Sequence, residues 1–168
     1  RRAGEYLFSL GHRRLMLIRG EDIFDGIERQ RGFEDFLKEQ GYLLEKDYLL
    51  NGRFDRWAAY GEMNRFLERK LPLPDAIFAA NDDSAFGCIK ALMEAGYSVP
   101  EDVSVLGCDD IELSQWYVPA LSTIYTHITD QGVTAVKELT GLMKGNRSGL
   151  LHLIKGQLIE RASCRRAE

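Results

Sequence analysis

Short, wholly apolar runs alternate along this chain with longer stretches whose apolar residues recur at helical spacing. Leu15-Met16-Leu17-Ile18 is apolar throughout, as a strand covered on both faces has to be. Phe33, Phe36 and Leu37 then mark one face of a helix that Gly41 is placed to stop. Tyr48-Leu49-Leu50 predicts a second strand, and Met63, Phe66 and Leu67 predict the next helix. Pro72 and Pro74 close that helix, because proline offers no backbone donor. Ala76-Ile77-Phe78-Ala79-Ala80 predicts a third strand, and Ala85, Ile89 and Leu92 form one helical stripe ending at Gly96. Beyond Pro100, Val103-Ser104-Val105-Leu106 predicts a fourth strand. The last third predicts a loop through Pro119, a strand over residues 121–125, a helix carrying Val133, Val136 and Met143, and a β-rich stretch over residues 150–159. Alternation of this kind predicts βαβ units, and so an α/β protein with a parallel sheet flanked by helices.

In such sheets ligands bind outside the carboxyl ends of the strands, where loops and helix N-termini converge. Three polar loops occupy those places: Arg19-Gly20-Glu21-Asp22 with Arg29 and Arg31 beyond it, Asn81-Asp82-Asp83-Ser84, and Gly107-Cys108-Asp109-Asp110. Carboxylates, an amide and guanidinium groups aimed into one cleft suit a polyhydroxylated ligand, since each forms directional hydrogen bonds to hydroxyls. Ordinary structure competes for the same residues. Asp82, Asp83 and Asp110 are expected as helix caps or turn formers, and Arg29 and Arg31 as solvated side chains on a helix. Phe54, Trp57 and Trp116 suit either stacking on a sugar face or a place in the core.

Composition narrows the classes. With 168 residues, of which 45% are hydrophobic, the chain can bury the core of one or two lobes. A net charge of −4 argues against a broad basic surface for nucleic acid. No run approaches the roughly 20 apolar residues that span a membrane, and Arg1-Arg2-Ala3-Gly4-Glu5 leads into no signal-peptide core. Cys88, Cys108 and Cys164 are odd in number and have no paired spacing, which suits a reducing compartment and small core residues. His12, His127 and His152 are too scattered to suggest a metal site. No nucleophile elbow, P-loop or dinucleotide glycine pattern is present, so neither catalysis nor a cofactor is expected.

Six segments also carry a family likeness, in order and in register: Gly11-His12-Arg13-Arg14, Arg31-Gly32-Phe33, residues 74–83 (Pro-Asp-Ala-Ile-Phe-Ala-Ala-Asn-Asp-Asp), residues 99–107 with Asp109-Asp110, Pro119-Ala120-Leu121-Ser122-Thr123-Ile124, and Leu158-Ile159-Glu160-Arg161. Together they resemble the effector-binding domain of the LacI/GalR transcription regulators across nearly the whole chain. The resemblance implies a periplasmic-binding-protein-like fold of two α/β lobes with an effector between them. It assigns residues 1–124 to a largely complete C-terminal lobe and 125–149 to a crossover into an N-terminal lobe that is mostly missing. Residues 150–168 are assigned to strands that return. It implies ligand contacts from Arg29, Asn81, Asp109 and Thr126, with an aromatic from Phe54 or Trp57. It implies a homodimer formed through the helix over residues 83–95, including Ile89, and the loop around Trp116 and Tyr117. The expected partners are a sugar-like effector and a second copy, with operator DNA bound only through an N-terminal head outside this chain, in the cytoplasm. The apolar face of Val133, Val136 and Met143 would lack its cover. A periplasmic sugar-binding protein of an uptake transporter shares this fold and cleft, but the wording around His12 and Pro119 favours the regulator. A carbohydrate hydrolase using an aspartate pair is a weaker reading.

Overall fold

A computed structural model describes residues 1–145 and 152–167. Six strands, β1 (Leu15–Arg19), β2 (Leu49–Asn51), β3 (Ala76–Ala79), β4 (Ser104–Asp109), β5 (Ser122–Tyr125) and β6 (Gln157–Ile159), form one sheet in the order β2-β1-β3-β4-β5-β6. The first five are parallel, and β6 runs antiparallel to β5. Alternate side chains of β1, β2, β3 and β4 enter two separate cores. Leu15 and Leu17 pack with Leu7 of α1 (Arg2–Ser9) and with Phe33 and Phe36 of α2 (Phe24–Glu39). Met16 and Ile18 pack on the opposite face with Met63 and Phe66 of α3 (Arg56–Glu68) and Phe86 and Ile89 of α4 (Asp82–Glu94). Because helices cover both faces, every position of such a strand is buried, and the strand reads as an apolar run.

Some local features depart from the expected elements. Tyr48 ends a 3-10 turn, Lys46–Tyr48, and its hydroxyl donates to the Pro72 carbonyl at 2.7 Å, so the second strand starts one residue later. The fourth strand runs on to Asp109. A four-residue helix, α5 (Leu113–Trp116), lies in a stretch without predicted structure, too short to display a period. Of the expected β-rich close, residues 157–159 are strand, residues 152–156 are not, and the part at 150–151 lies outside the described residues. The expected boundary at residues 149–150 falls there too. Helix α6 (Ile128–Met143) has no buried residue, and Val133, Val136, Leu139 and Met143 are exposed, which agrees with the expectation of an uncovered apolar face.

The segment after β6 sews up the amino ends of the central strands. The Val105 amide donates to the Ser163 carbonyl at 2.8 Å, and the Ser163 hydroxyl donates to the Val105 carbonyl at 2.6 Å while accepting from the Ser122 amide at 2.8 Å. The Arg165 amide donates to Ser104 Oγ at 3.1 Å, and the Ala167 amide donates to the Leu10 carbonyl at 2.8 Å. His12 is buried and its Nε2 lies 2.9 Å from the Arg165 carbonyl. Burial pushes its pKa below the usual histidine value, so the neutral ring donates there.

Candidate functional site

The strand order reverses between β1 and β3, because β2 lies on one side of β1 and the remaining strands on the other. Connections therefore diverge at the carboxyl ends of these strands and leave a crevice. Arg29, in the second turn of α2, reaches back over that edge. Its Nη1 donates to the Ala80 carbonyl at 2.5 Å, just past β3, and its Nη2 donates to Asp109 Oδ1 at 2.9 Å, at the end of β4. The guanidinium carbon also lies 5.6 Å from the centroid of the Phe54 ring. That ring fits only because residue 20 is glycine, since a Cβ there would overlap it. Asn81 completes the group: its Nδ2 donates to the Phe54 carbonyl at 3.0 Å, and its Oδ1 caps α4 by accepting from the Ser84 amide at 3.0 Å. Four side chains arriving from separate strand ends thus meet at one rim. Thr126 stands on the same edge, one residue past Tyr125, the register partner of Asp109.

The two charges at this rim are largely shielded from water. The side chains of Arg29 and Asp109 are 22% and 31% exposed, enough to offer acceptors and donors outward while excluding most water. Burial raises the Asp109 carboxyl above the ordinary carboxylate range, and Arg29 pulls it back down. Backbone strain gathers here as well. Six non-glycine residues among those described have a left-handed backbone, and five of them, Arg53, Phe54, Asp109, Asp110 and His127, lie at this edge; the sixth is Lys70. Such conformations cost on the order of 1–3 kcal/mol each, so this edge is shaped at the expense of stability.

The other expected residues divide. Trp57 does not join Arg29: it is 64% exposed on the first turn of α3 and opens onto a separate cleft of about 340 Å³ with Asn51, Arg53, Gly61 and Arg65. Phe54 is the aromatic at the rim. Ile89 corrects the expected dimer contact, because it is wholly buried in the core and has no surface to offer a partner. Trp116 is 72% exposed, and the half-buried Tyr117 stacks on Phe86 with ring centroids 4.4 Å apart. The expected caps are corrected too. Asn81, not an aspartate, caps α4; Asp83 pairs with Arg56, and Asp110 pairs with Arg161 at 2.7 Å. Asp82 is wholly buried, with its carboxylate accepting from Ile111, Ser114 and Thr123. No sequence pattern announces that role, since Ser114 and Thr123 lie 32 and 41 residues away. Among the described residues no cluster of three His, Cys, Asp or Glu could hold a metal ion, and none of the helices is long and apolar enough to cross a membrane.

Residues 5–164 match the family described as periplasmic binding protein-like domain. The chain belongs to this family, in the form that serves as the effector-binding domain of LacI-family transcriptional regulators. It is 36% identical over 138 residues to the HTH-type transcriptional repressor PurR of Histophilus somni, covering 82% of this chain and 41% of that protein. It is 34% identical over 158 residues to the HTH-type transcriptional regulator AscG of Escherichia coli, covering 94% and 47%. Among solved structures, a dimeric Lac repressor superimposes with a TM-score of 0.92 at 27% identity, over 98% of this chain and 60% of that one. The transcriptional regulator CelR in complex with cellobiose does so at 0.88 and 28% identity, over 95% and 49%. These relatives are regulators rather than enzymes, and the chain spans about half the length of the curated relatives it matches.

Proposed function

We propose that this chain is the ligand-sensing lobe of a LacI/GalR-type regulator, and that its rim holds a sugar or sugar derivative. The observation that carries the reading is the Arg29–Asp109 pair, half-shielded from water at a strained edge. Neighbouring hydroxyls of a sugar would donate to the Asp109 carboxylate and accept from the guanidinium, with Asn81 and Thr126 beside them and the Phe54 ring supporting Arg29. The relative solved with cellobiose supports this ligand class. The exposed face of α6, within residues 125–149, would receive the second lobe, and the ligand would lie between the two. Binding would favour one lobe arrangement over another and so change how a dimer, paired through the surface around Trp116 and Tyr117, presents DNA-binding heads that lie outside this chain. The setting for such a protein is the cytoplasm.

Calorimetry on the full-length regulator with a panel of mono- and disaccharides tests the reading. At least one sugar should bind, and Asp109→Asn or Arg29→Met should weaken it about tenfold to a hundredfold. Trp57→Phe, away from the rim, should leave the affinity unchanged. If no sugar binds, or if the rim variants bind as tightly as the parent, the proposal fails.

A further inference from the structure

Two segments meet at the rim, residues 80–82 leading from β3 into α4 and residues 109–111 from the last residue of β4 onward, and they are tied together at both ends. At the outer end Arg29 joins the Ala80 carbonyl to the Asp109 carboxylate. At the inner end Asp82 Oδ2 accepts from the Ile111 amide at 2.9 Å. The two ties close a ring: Arg29, Ala80, Asn81, Asp82, Ile111, Asp110, Asp109 and back to Arg29. Within it Asp109 and Asp110 keep left-handed backbones, with φ of 116° and 57°. A segment free to relax would leave those conformations, so the ring has to hold them.

Asp82 also reaches beyond the ring. Its Oδ2 accepts from the Ser114 hydroxyl at 2.7 Å and its Oδ1 from the Thr123 hydroxyl at 2.6 Å. Three donors from the 109–111 segment, from α5 and from β5 therefore converge on one wholly buried carboxylate. A carboxylate only accepts, so it meets three donors without conflict, whereas an amide would turn an N–H toward at least one of them. Gly107 makes the room, since a Cβ there would overlap Asp82 Oδ1. Ser114 belongs to α5, which ends in the exposed Trp116.

We propose that Asp82 is the positioning residue of this edge: it fixes the backbone behind Asp109 and holds α5 to it, so that the rim and the Trp116 surface move as one body. The inference rests on the function proposed above only in taking Arg29 and Asp109 as ligand contacts. A change at the rim would then reach the Trp116 surface through the Asp82 carboxylate, beside the bond from the Leu121 amide to the Ser114 carbonyl and the stacking of Tyr117 on Phe86.

Hydrogen exchange on the full-length protein without ligand tests this. Ser114→Ala should speed exchange of the amides of residues 111–117 about tenfold, while those of β1 stay within about twofold. Arg29→Met, at the opposite end of the ring, should speed the same amides, and the double variant should fall well short of the product of the two effects. Gly107→Ala, whose added Cβ would overlap Asp82 Oδ1 and press on Leu121 Cδ2, should reproduce the Ser114→Ala pattern. Asp82→Asn should exceed both. Should Asp82→Asn fail to fold, the other variants still decide. Multiplicative effects in the double variant, or an unchanged 111–117 segment in Gly107→Ala, would overturn the proposal, as would equal acceleration in β1. Because no ligand enters this experiment, its failure leaves the sugar titrations standing, and their failure leaves this result standing.

Discussion

Replacing Arg29 by Met keeps the length of the side chain but removes its charge and both of its donors. The loss can be sized from the geometry. Opposite charges 2.9 Å apart attract by about 6 kcal/mol at an effective dielectric constant near 20. Most of that is offset by the cost of drawing both groups partly out of water, and measured charge-assisted hydrogen bonds are worth roughly 1.5–3 kcal/mol. The variant should therefore lose about 2 kcal/mol of stability, which lowers the melting temperature of a chain of this size by about 4–8 °C. Thermal and urea unfolding of the parent, Arg29→Met, Asp109→Asn and the double variant measure it. The cycle should return a coupling of about 2 kcal/mol between the two positions. If the two single effects simply add, leaving a coupling below about 0.5 kcal/mol, the pair is a surface coincidence and the reasoning about the rim is wrong.

Burial raises the Asp109 carboxyl, so the folded chain holds that proton more tightly than the unfolded chain. Its contribution to stability is fully present below the ordinary value of 3.8, is lost as pH rises through the folded value, and is absent from Asp109→Asn when urea unfolding is followed across that range. Removing Arg29 takes away the group that pulls the carboxyl down, so in Arg29→Met the same loss should occur at higher pH. Ile89→Ala should cost about 2–5 kcal/mol through the cavity it leaves in the core, measured by urea unfolding. Trp116→Ser should leave stability nearly unchanged but weaken self-association by more than about tenfold in sedimentation experiments. Equal self-association in that variant would remove Trp116 from the proposed dimer surface.

The strands were legible because a parallel sheet covered on both faces leaves an unbroken apolar signature, as in Leu15–Arg19 and Ala76–Ala79. Ile89 was legible as well, in a way the family likeness obscured: the stripe Ala85, Ile89 and Leu92 already marked the inward face of α4, and all three are buried there. The partnership of Arg29 with Asp109 could not be read locally, because 80 residues separate them and only the strand order brings them together. The cap of α4 was missed by one residue, since which side chain caps depends on where β3 lets go of the backbone, and four candidates stand in a row from Asn81 to Ser84. Helix α5 and the buried role of Asp82 arise from tertiary contacts that leave no periodic trace.

The stitching by Ser163, Arg165 and Ala167 also sets the order in which this lobe can be completed during synthesis. Val105 leaves the ribosome 58 residues before the serine that bonds to it. At ordinary elongation rates of about 5–20 residues per second, that interval lasts roughly 3–12 s. Over that interval the amino end of β4, and from Ser122 onward that of β5, lacks these partners, and the nascent lobe is open to wrong strand pairing and to capture by chaperones until residues 163–167 emerge.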